Sequence, residues 1–138
     1  GIPGMSVDSE RLSSALGPVV GGLTGPAIRP IAVRAVFEVT RALPGVPVMG
    51  VGGVRTGNDA VELLLAGAGA VQVGTAMLVD PSTPGIVLEG IRSYLEAKGL
   101  RSPADVQGRL HGRPRTSALA PAPGSASRPA PGSASRSS

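Results

Sequence analysis

Glycine follows each of two short apolar runs in the middle of the chain. Gly52 and Gly53 come after the run PVMGV, and Gly74 and Thr75 come after the run AVQV. Because glycine has no side chain, a ligand can approach its backbone N–H group closely. Successive N–H groups form a concave site for anions, and a helix that begins beside them favours a phosphate. The spacing therefore predicts a phosphate site, with an additional hydroxyl donor from Thr75.

The same glycines also have a simpler interpretation. Gly52 and Gly53 would only turn the chain, and Gly74 would only end a strand. Their occurrence after two consecutive strands favours the phosphate site over this alternative. No Asp, Glu, Lys or His accompanies them as an obvious acid or base. The predicted site therefore anchors a ligand whose chemistry happens elsewhere.

The loops need two strands to position them. The uncharged runs 46–51 and 70–73 suit strands that are buried on both faces. Apolar spacing predicts a helix over 31–43, with Pro30 in its first turn and Pro44 at its end. That helix would lie directly before the first strand.

A second helix is predicted between the two strands. Thr56 is the expected N-cap, and Asp59 three residues later resembles the partner of a capping box. The helix would run through Leu65 and end at Gly67, which is a typical C-cap residue. The first glycine pair would then connect a strand directly to a capped helix.

The last predicted elements are a helix from Pro84 to Gly99 and a short helix over 103–110. The order helix, strand, helix, strand, helix with short connections predicts an α/β fold with a parallel sheet. In such folds the loops at the carboxyl ends of the strands carry the ligand site. In a (β/α)8 barrel the loops after strands seven and eight form the commonest phosphate site. Both glycine signals fit that arrangement.

Three motifs in order resemble the C-terminal part of dihydroorotate dehydrogenase of class 1, particularly the type B kind that works with an electron-transfer subunit. They are GGLTGPAIRP followed by IAVRAVFEV, then PVMGVGGV, then AGAGAVQVGTAM. The resemblance covers about residues 4–97. It implies an α/β fold that is the C-terminal part of a (β/α)8 TIM barrel, from about strand six or seven to strand eight with their helices.

The resemblance also implies a cofactor and a reaction. The family uses flavin mononucleotide (FMN) and oxidises dihydroorotate to orotate in de novo pyrimidine biosynthesis. By resemblance, Gly25 contacts the flavin. Gly52, Gly53, Gly74 and Thr75 would hold its phosphate through N–H groups and the threonine hydroxyl. The resemblance and the glycine spacing therefore point to the same four phosphate-binding residues.

Groups that the family uses on its substrate have no counterpart here. The class 1 base is an upstream cysteine, and an upstream lysine contacts the flavin, but this chain holds no cysteine and no matching lysine. A substrate-binding Asn-Thr pair would stand at Gly1 and before it. A complete barrel needs about 250 residues. We therefore expect a fragment without a catalytic residue, inactive and poorly folded alone: a truncated product, a partial gene model or one piece of a split barrel.

The chain is predicted to have two parts: a partial FMN-binding barrel domain at 1–111 and a disordered tail at 112–138. The tail repeats PAPGSASR and is rich in Pro, Ala, Gly and Ser. It contains four of the 13 basic residues and no acidic one, which leaves nine basic and nine acidic residues before it. Because the predicted domain is neutral, we expect no nucleic-acid or membrane partner.

Several classes of site are excluded or disfavoured. Without cysteine there is no disulfide and no thiolate metal site, and the single histidine, His111, is predicted to be solvated. No metal site is expected. No apolar run reaches the roughly 20 residues of a membrane helix, and the start lacks signal-peptide features. These observations favour a cytoplasmic protein.

Some assignments stay open at this point. A flavin barrel of the dihydropyrimidine dehydrogenase type and a non-catalytic phosphate-binding module are the alternatives to dihydroorotate dehydrogenase. The resemblance implies dihydroorotate as substrate and an FAD and iron–sulfur subunit as a possible partner, and we also expect a homo-oligomer. The electron acceptor is either NAD, through that subunit, or fumarate.

Overall fold

The computed structural model describes residues 2–112. Their helices and strands are β1 (Ile2–Gly4), β2 (Val7–Asp8), β3 (Ser13–Ser14), β4 (Gly21–Leu23), α1 (Arg29–Ala42), β5 (Met49–Val51), α2 (Gly57–Leu65), β6 (Ala70–Gln72), α3 (Thr75–Val79) and α4 (Thr83–Ala97). Short 3-10 turns lie at Pro26–Ile28, Pro103–Asp105 and Arg109–His111. The predicted tail lies outside the described residues, apart from its first position.

The predicted alternation of helices and strands is confirmed from α1 to α4. Proline occupies the first turn of both α1 and α4, where its missing N–H group costs nothing. Thr56 and Asp59 form the predicted capping box at the start of α2. Both strands are shorter than predicted, with three residues each.

The parallel pairing of β5 with β6 determines where the two glycine loops lie. Met49 pairs with Ala70, and Val51 pairs with Gln72. Because both strands run in the same direction, the residues that follow them leave the sheet at the same edge. The glycine loops therefore share one edge of the sheet.

The prediction that these strands are buried on both faces is wrong. Gly50 is buried against α2, where an added Cβ would lie 3.0 Å from the Cβ of Leu63. On the opposite face, Met49 is 59% exposed and Val51 is 53% exposed. Helices α1 and α2 contact β5, and no element within residues 2–112 covers the other face to the same degree.

The core forms around α2, which contacts α1, α4 and both strands of the parallel sheet. Helices α2 and α4 approach so closely that a Cβ on Gly57 would lie 2.4 Å from the Cα of Gly90. Two apolar clusters fill the space around α2. Their buried members are Val36, Val54, Ala60, Leu63, Ala66, Ala68 and Val87 in one, and Val61, Leu64, Leu95 and Val106 in the other.

Both ends of the described chain contain elements that sequence reasoning missed or misassigned. At residues 2–23, two antiparallel pairs form, β1 with β4 and β2 with β3. The helix predicted over 103–110 is replaced by two 3-10 turns, because Gly108 adopts a left-handed conformation with φ 71° between them. Helix α3 was not predicted either.

The prediction that His111 is solvated is also wrong. Its ring stacks on Phe37 with 4.4 Å between ring centroids and 8° between planes. Nε2 lies 2.9 Å from Oγ1 of Thr40 and 3.0 Å from the carbonyl oxygen of Ala66. These partners lie 45 to 74 positions earlier in the chain, so the contact depends on the tertiary fold. Through these contacts, His111 holds the last turn of the described chain against α1 and against the end of α2.

Candidate cofactor-phosphate site

The five predicted site residues lie together. Gly25, Gly52, Gly53, Gly74 and Thr75 all line one cavity of about 680 Å³. Gly25 precedes the first 3-10 turn, and Gly52 and Gly53 follow β5. Gly74 lies between β6 and α3, and Thr75 begins α3. A volume of this size is in the range of small-molecule sites. A ligand in this cavity can therefore contact three loops at once.

Two loops at the carboxyl edge of the parallel sheet supply most of these residues. We call residues 52–55 the first glycine loop and residues 73–75 the second glycine loop. Outside the helices and the sheet pairing, no hydrogen bond within residues 2–112 uses the N–H groups of Gly53, Gly74 or Thr75 as donors. These donors are therefore available to an anionic ligand in the cavity.

The first glycine loop is tightly packed. Gly52 has φ 134°, and an added Cβ would lie 2.8 Å from the Cβ of Ala32. Gly53 has φ 70°, and its added Cβ would lie 2.8 Å from the carbonyl oxygen of Gly25 and 2.9 Å from the Cβ of Arg29. Both the conformation and the neighbours require glycine here. The fold alone explains these two residues.

The open space lies at Gly25 and Gly74. A Cβ built on either residue meets no atom within 4 Å, although both residues line the cavity. Gly74 has φ −121° and ψ −97°, which lies outside the α and β regions that L-residues favour. No neighbouring atom excludes a side chain at position 74. The open space leaves the backbone at both residues accessible to a ligand.

A buried carboxylate holds the first glycine loop in place. Asp59 is only 6% exposed, and its Oδ2 accepts hydrogen bonds from the N–H groups of Arg55 at 3.0 Å and Thr56 at 2.9 Å. Its other oxygen accepts a hydrogen bond from Nη1 of Arg29. Nε of Arg29 lies 3.1 Å from Oε2 of Glu62, an ion-pair contact. The loop is thus tied to α1 as well as to α2.

These contacts keep Asp59 ionised. Burial raises the pKa of Asp59, but the N–H groups of Arg55 and Thr56, the Thr56 hydroxyl and the positive charge of Arg29 together outweigh burial. The net result is a pKa below the ordinary value of 3.8. Because Asp59 is ionised, it also neutralises Arg29. Arg29 therefore offers little positive charge to a ligand.

Sequence reasoning missed the two ionisable side chains among the described residues that line the cavity, Arg55 and Asp80. Asp80 accepts hydrogen bonds from Oγ of Ser82 at 2.6 Å and from its N–H group at 2.8 Å. These bonds lower the pKa of Asp80, so it carries a negative charge at neutral pH. Arg55 follows the glycine pair by two positions, and that proximity was the available signal.

Comparison with known proteins identifies the family. The protein-family model described as dihydroorotate dehydrogenase matches residues 2–95. The chain belongs to the dihydroorotate dehydrogenase family. The resemblance inferred from the three motifs is therefore confirmed.

Individual members of the dihydroorotate dehydrogenase family match at similar levels. The catalytic subunit of dihydroorotate dehydrogenase B (NAD(+)) from Bacteroides fragilis is 45% identical over 107 residues, which cover 78% of this chain and 35% of that protein. The corresponding subunit from Geotalea uraniireducens is 45% identical over 109 residues, with 79% and 35% covered. The chain thus spans about 35% of the length of these curated relatives.

A solved dihydroorotate dehydrogenase structure has the same fold. The structure of the Eimeria tenella enzyme in complex with ferulenol matches with a TM-score of 0.66 and 26% identity. The match covers 80% of this chain and 30% of that one. The α/β class and the partial TIM barrel predicted from the sequence are confirmed.

Two negative findings apply to residues 2–112. No helix there has the length and apolar character needed to cross a membrane. No group of three His, Asp or Glu side chains there is placed to hold a metal ion.

Proposed function

We propose that this chain forms the cofactor-phosphate part of an FMN-dependent dihydroorotate dehydrogenase. In this proposal Gly52, Gly53, Gly74 and Thr75 bind the FMN phosphate, and Gly25 contacts the flavin. The observation that carries the proposal is that these five residues line one cavity at the carboxyl edge of a parallel sheet. Phosphate sites of TIM barrels occur at that edge.

The properties of the cavity fit a phosphorylated ligand. The N–H groups of Gly53, Gly74 and Thr75 have no acceptor within residues 2–112 outside the regular elements. Open space at Gly25 and Gly74 leaves room for a ligand beside the backbone. Neutral amide donors in a partly enclosed site are well suited to an anion, because they need little rearrangement when it binds.

The complete protein would oxidise dihydroorotate to orotate. Bound FMN supplies the hydride acceptor for this reaction. The residues of this chain position the cofactor through its phosphate and keep the first glycine loop rigid through Asp59. The chain contributes no catalytic base, so the groups that deprotonate and bind the substrate belong to another part of the barrel.

The relatives support one of the two electron acceptors. The proteins from Bacteroides fragilis and Geotalea uraniireducens are catalytic subunits of a NAD(+) enzyme. We therefore propose NAD as the acceptor, reached through a separate FAD and iron–sulfur subunit. A cytoplasmic location and a homo-oligomer stay predictions.

A fluorescence titration tests the proposal. FMN and riboflavin, which lacks the phosphate, are each titrated into the full 138-residue chain. A chimera in which residues 2–112 replace the matching segment of the Bacteroides fragilis subunit is titrated in parallel, because it provides the remaining strands. We expect the chimera to bind FMN much more tightly than riboflavin. Equal affinities would contradict the assignment of a phosphate site.

Activity assays separate the alternatives. We expect the chimera to oxidise dihydroorotate and the 138-residue chain alone to show no turnover. Reduction of uracil by the chimera, without oxidation of dihydroorotate, would favour the dihydropyrimidine dehydrogenase alternative. Tight FMN binding by the isolated chain without turnover in either form would favour a non-catalytic module.

A further inference from the structure

The charges that face the cavity are few. Among the described residues that line it, Arg55 carries the only positive charge and Asp80 the only negative one. Arg29 is close to the first glycine loop, but Asp59 and Glu62 already neutralise it. The amide donors are uncharged. A dianionic phosphate in this cavity would therefore have Arg55 as its available counter-charge.

The position of Arg55 suits this role. Its N–H group donates to Oδ2 of Asp59 at 3.0 Å, and its neighbour Val54 is buried. Its backbone is therefore held at the end of the first glycine loop. The residue itself is exposed, and none of the ion pairs within residues 2–112 includes it. The guanidinium group is free to meet a ligand, while its attachment point is fixed.

We infer that Arg55 binds the FMN phosphate as a charged partner of the glycine amides. This inference depends on the proposed function of the same site. Guanidinium forms paired hydrogen bonds with phosphate oxygens and remains charged at all relevant pH values. In a partly enclosed cavity this attraction is stronger than in bulk water. Arg55 also offsets the repulsion between the phosphate and Asp80.

The test compares R55Q and R55K with the control R92Q in both protein forms described above. Arg92 is an exposed residue of α4 whose Nη1 lies 3.8 Å from Glu89, and it does not line the cavity. We expect R55Q to weaken FMN binding roughly tenfold or more. Riboflavin binding should be unchanged, and R55K should restore part of the loss. R92Q should behave as the unmodified protein.

Salt dependence gives a second readout. Affinity for FMN should decrease with ionic strength in the unmodified protein and more weakly in R55Q, because one charge–charge contact is missing. Unfolding followed by circular dichroism checks that the variants are folded, and R55M replaces R55Q if R55Q is not.

The outcomes separate the two proposals. FMN affinity that is unchanged in a folded R55Q, or an equal loss for FMN and riboflavin, would overturn the role of Arg55 alone. Failure of both unmodified protein forms to prefer FMN over riboflavin would overturn the proposed function, and the role of Arg55 with it.

Discussion

The two glycine loops look alike in sequence but differ in what requires their glycines. In the first loop, side chains at positions 52 and 53 would collide with Ala32, Gly25 and Arg29, and both φ angles are positive. In the second loop, Gly74 has φ −121° and ψ −97°, and no atom lies within 4 Å of an added Cβ. The first loop needs glycine in order to fold.

Only the second loop contains a glycine whose neighbours leave room for a side chain. Gly52 and Gly53 would be glycine with or without a cofactor, so they alone say little about binding. Gly74 has no packing role that explains it, although it lines the same cavity. The comparison predicts that substitutions in the first loop reduce stability and binding together, whereas those in the second mainly reduce binding.

The largest effect is expected for Gly53→Ala. The methyl group would lie 2.8 Å from the carbonyl oxygen of Gly25, at a φ of 70°. We expect the chimera to lose about 2–4 kcal/mol in its free energy of unfolding, measured with urea, and to bind FMN more weakly. Gly45→Ala is the matched control, since Gly45 has φ 95° and open space around it. Equal losses in both variants would show that the close packing has no effect.

Asp59→Asn tests how the first loop is held in place. The amide keeps one acceptor but loses the ion pair with Arg29, so we expect a loss of about 1–2 kcal/mol at neutral pH. The pKa of Asp59 is lowered in the folded protein, so its contribution is complete above its ordinary value of 3.8. It disappears as the pH falls through the lowered pKa.

Urea unfolding of the unmodified protein and of Asp59→Asn between pH 7 and pH 3 measures this dependence. The difference between their free energies of unfolding should stay constant down to about pH 4 and shrink below it. A difference that did not depend on pH would mean that the charge of Asp59 does not stabilise the loop.

The sequence predicted those features that depend on neighbours in the chain. The capping box of Thr56 and Asp59 needs only residues three positions apart, and both strands before the glycine loops have clear apolar runs. The same local signals placed both loops at the carboxyl edge of a parallel sheet, where the structure has them. The five residues predicted from the sequence accordingly line one cavity, and their role in binding stays a prediction.

Features that depend on distant contacts were missed. His111 contacts Phe37 and Thr40 across the fold, and no local pattern indicates this. The exposed face of β5 depends on which elements cover it, and an uncharged run carries no information about that. The different requirements for Gly53 and Gly74 are likewise visible only when Gly25 and α1 are in place.

Gly74→Ala should affect binding more than stability. The added methyl group meets no atom within 4 Å and projects from a residue that lines the cavity. We expect about tenfold weaker FMN binding, from obstruction of the amide donors, and a smaller decrease of the urea midpoint than in Gly53→Ala. Gly85→Ala is the control, because its Cβ also has open space but lies outside the cavity lining. Unchanged FMN affinity in Gly74→Ala would remove the distinction between the two loops.

The smallest effect, and the only gain, is expected for Asp80→Asn. The hydrogen bond from Oγ of Ser82 and the bond from its N–H group lower the pKa of Asp80, so its charge opposes a phosphate at pH 7.5. Asparagine keeps an acceptor for both bonds and removes the charge. We expect about twofold tighter FMN binding with riboflavin unchanged, since Asp80 is exposed and screened by solvent. Glu89→Gln, outside the cavity lining, should change neither affinity. If Asp80→Asn weakened FMN binding instead, the second glycine loop would depend on the carboxylate of Asp80. It would then not be the less constrained of the two loops.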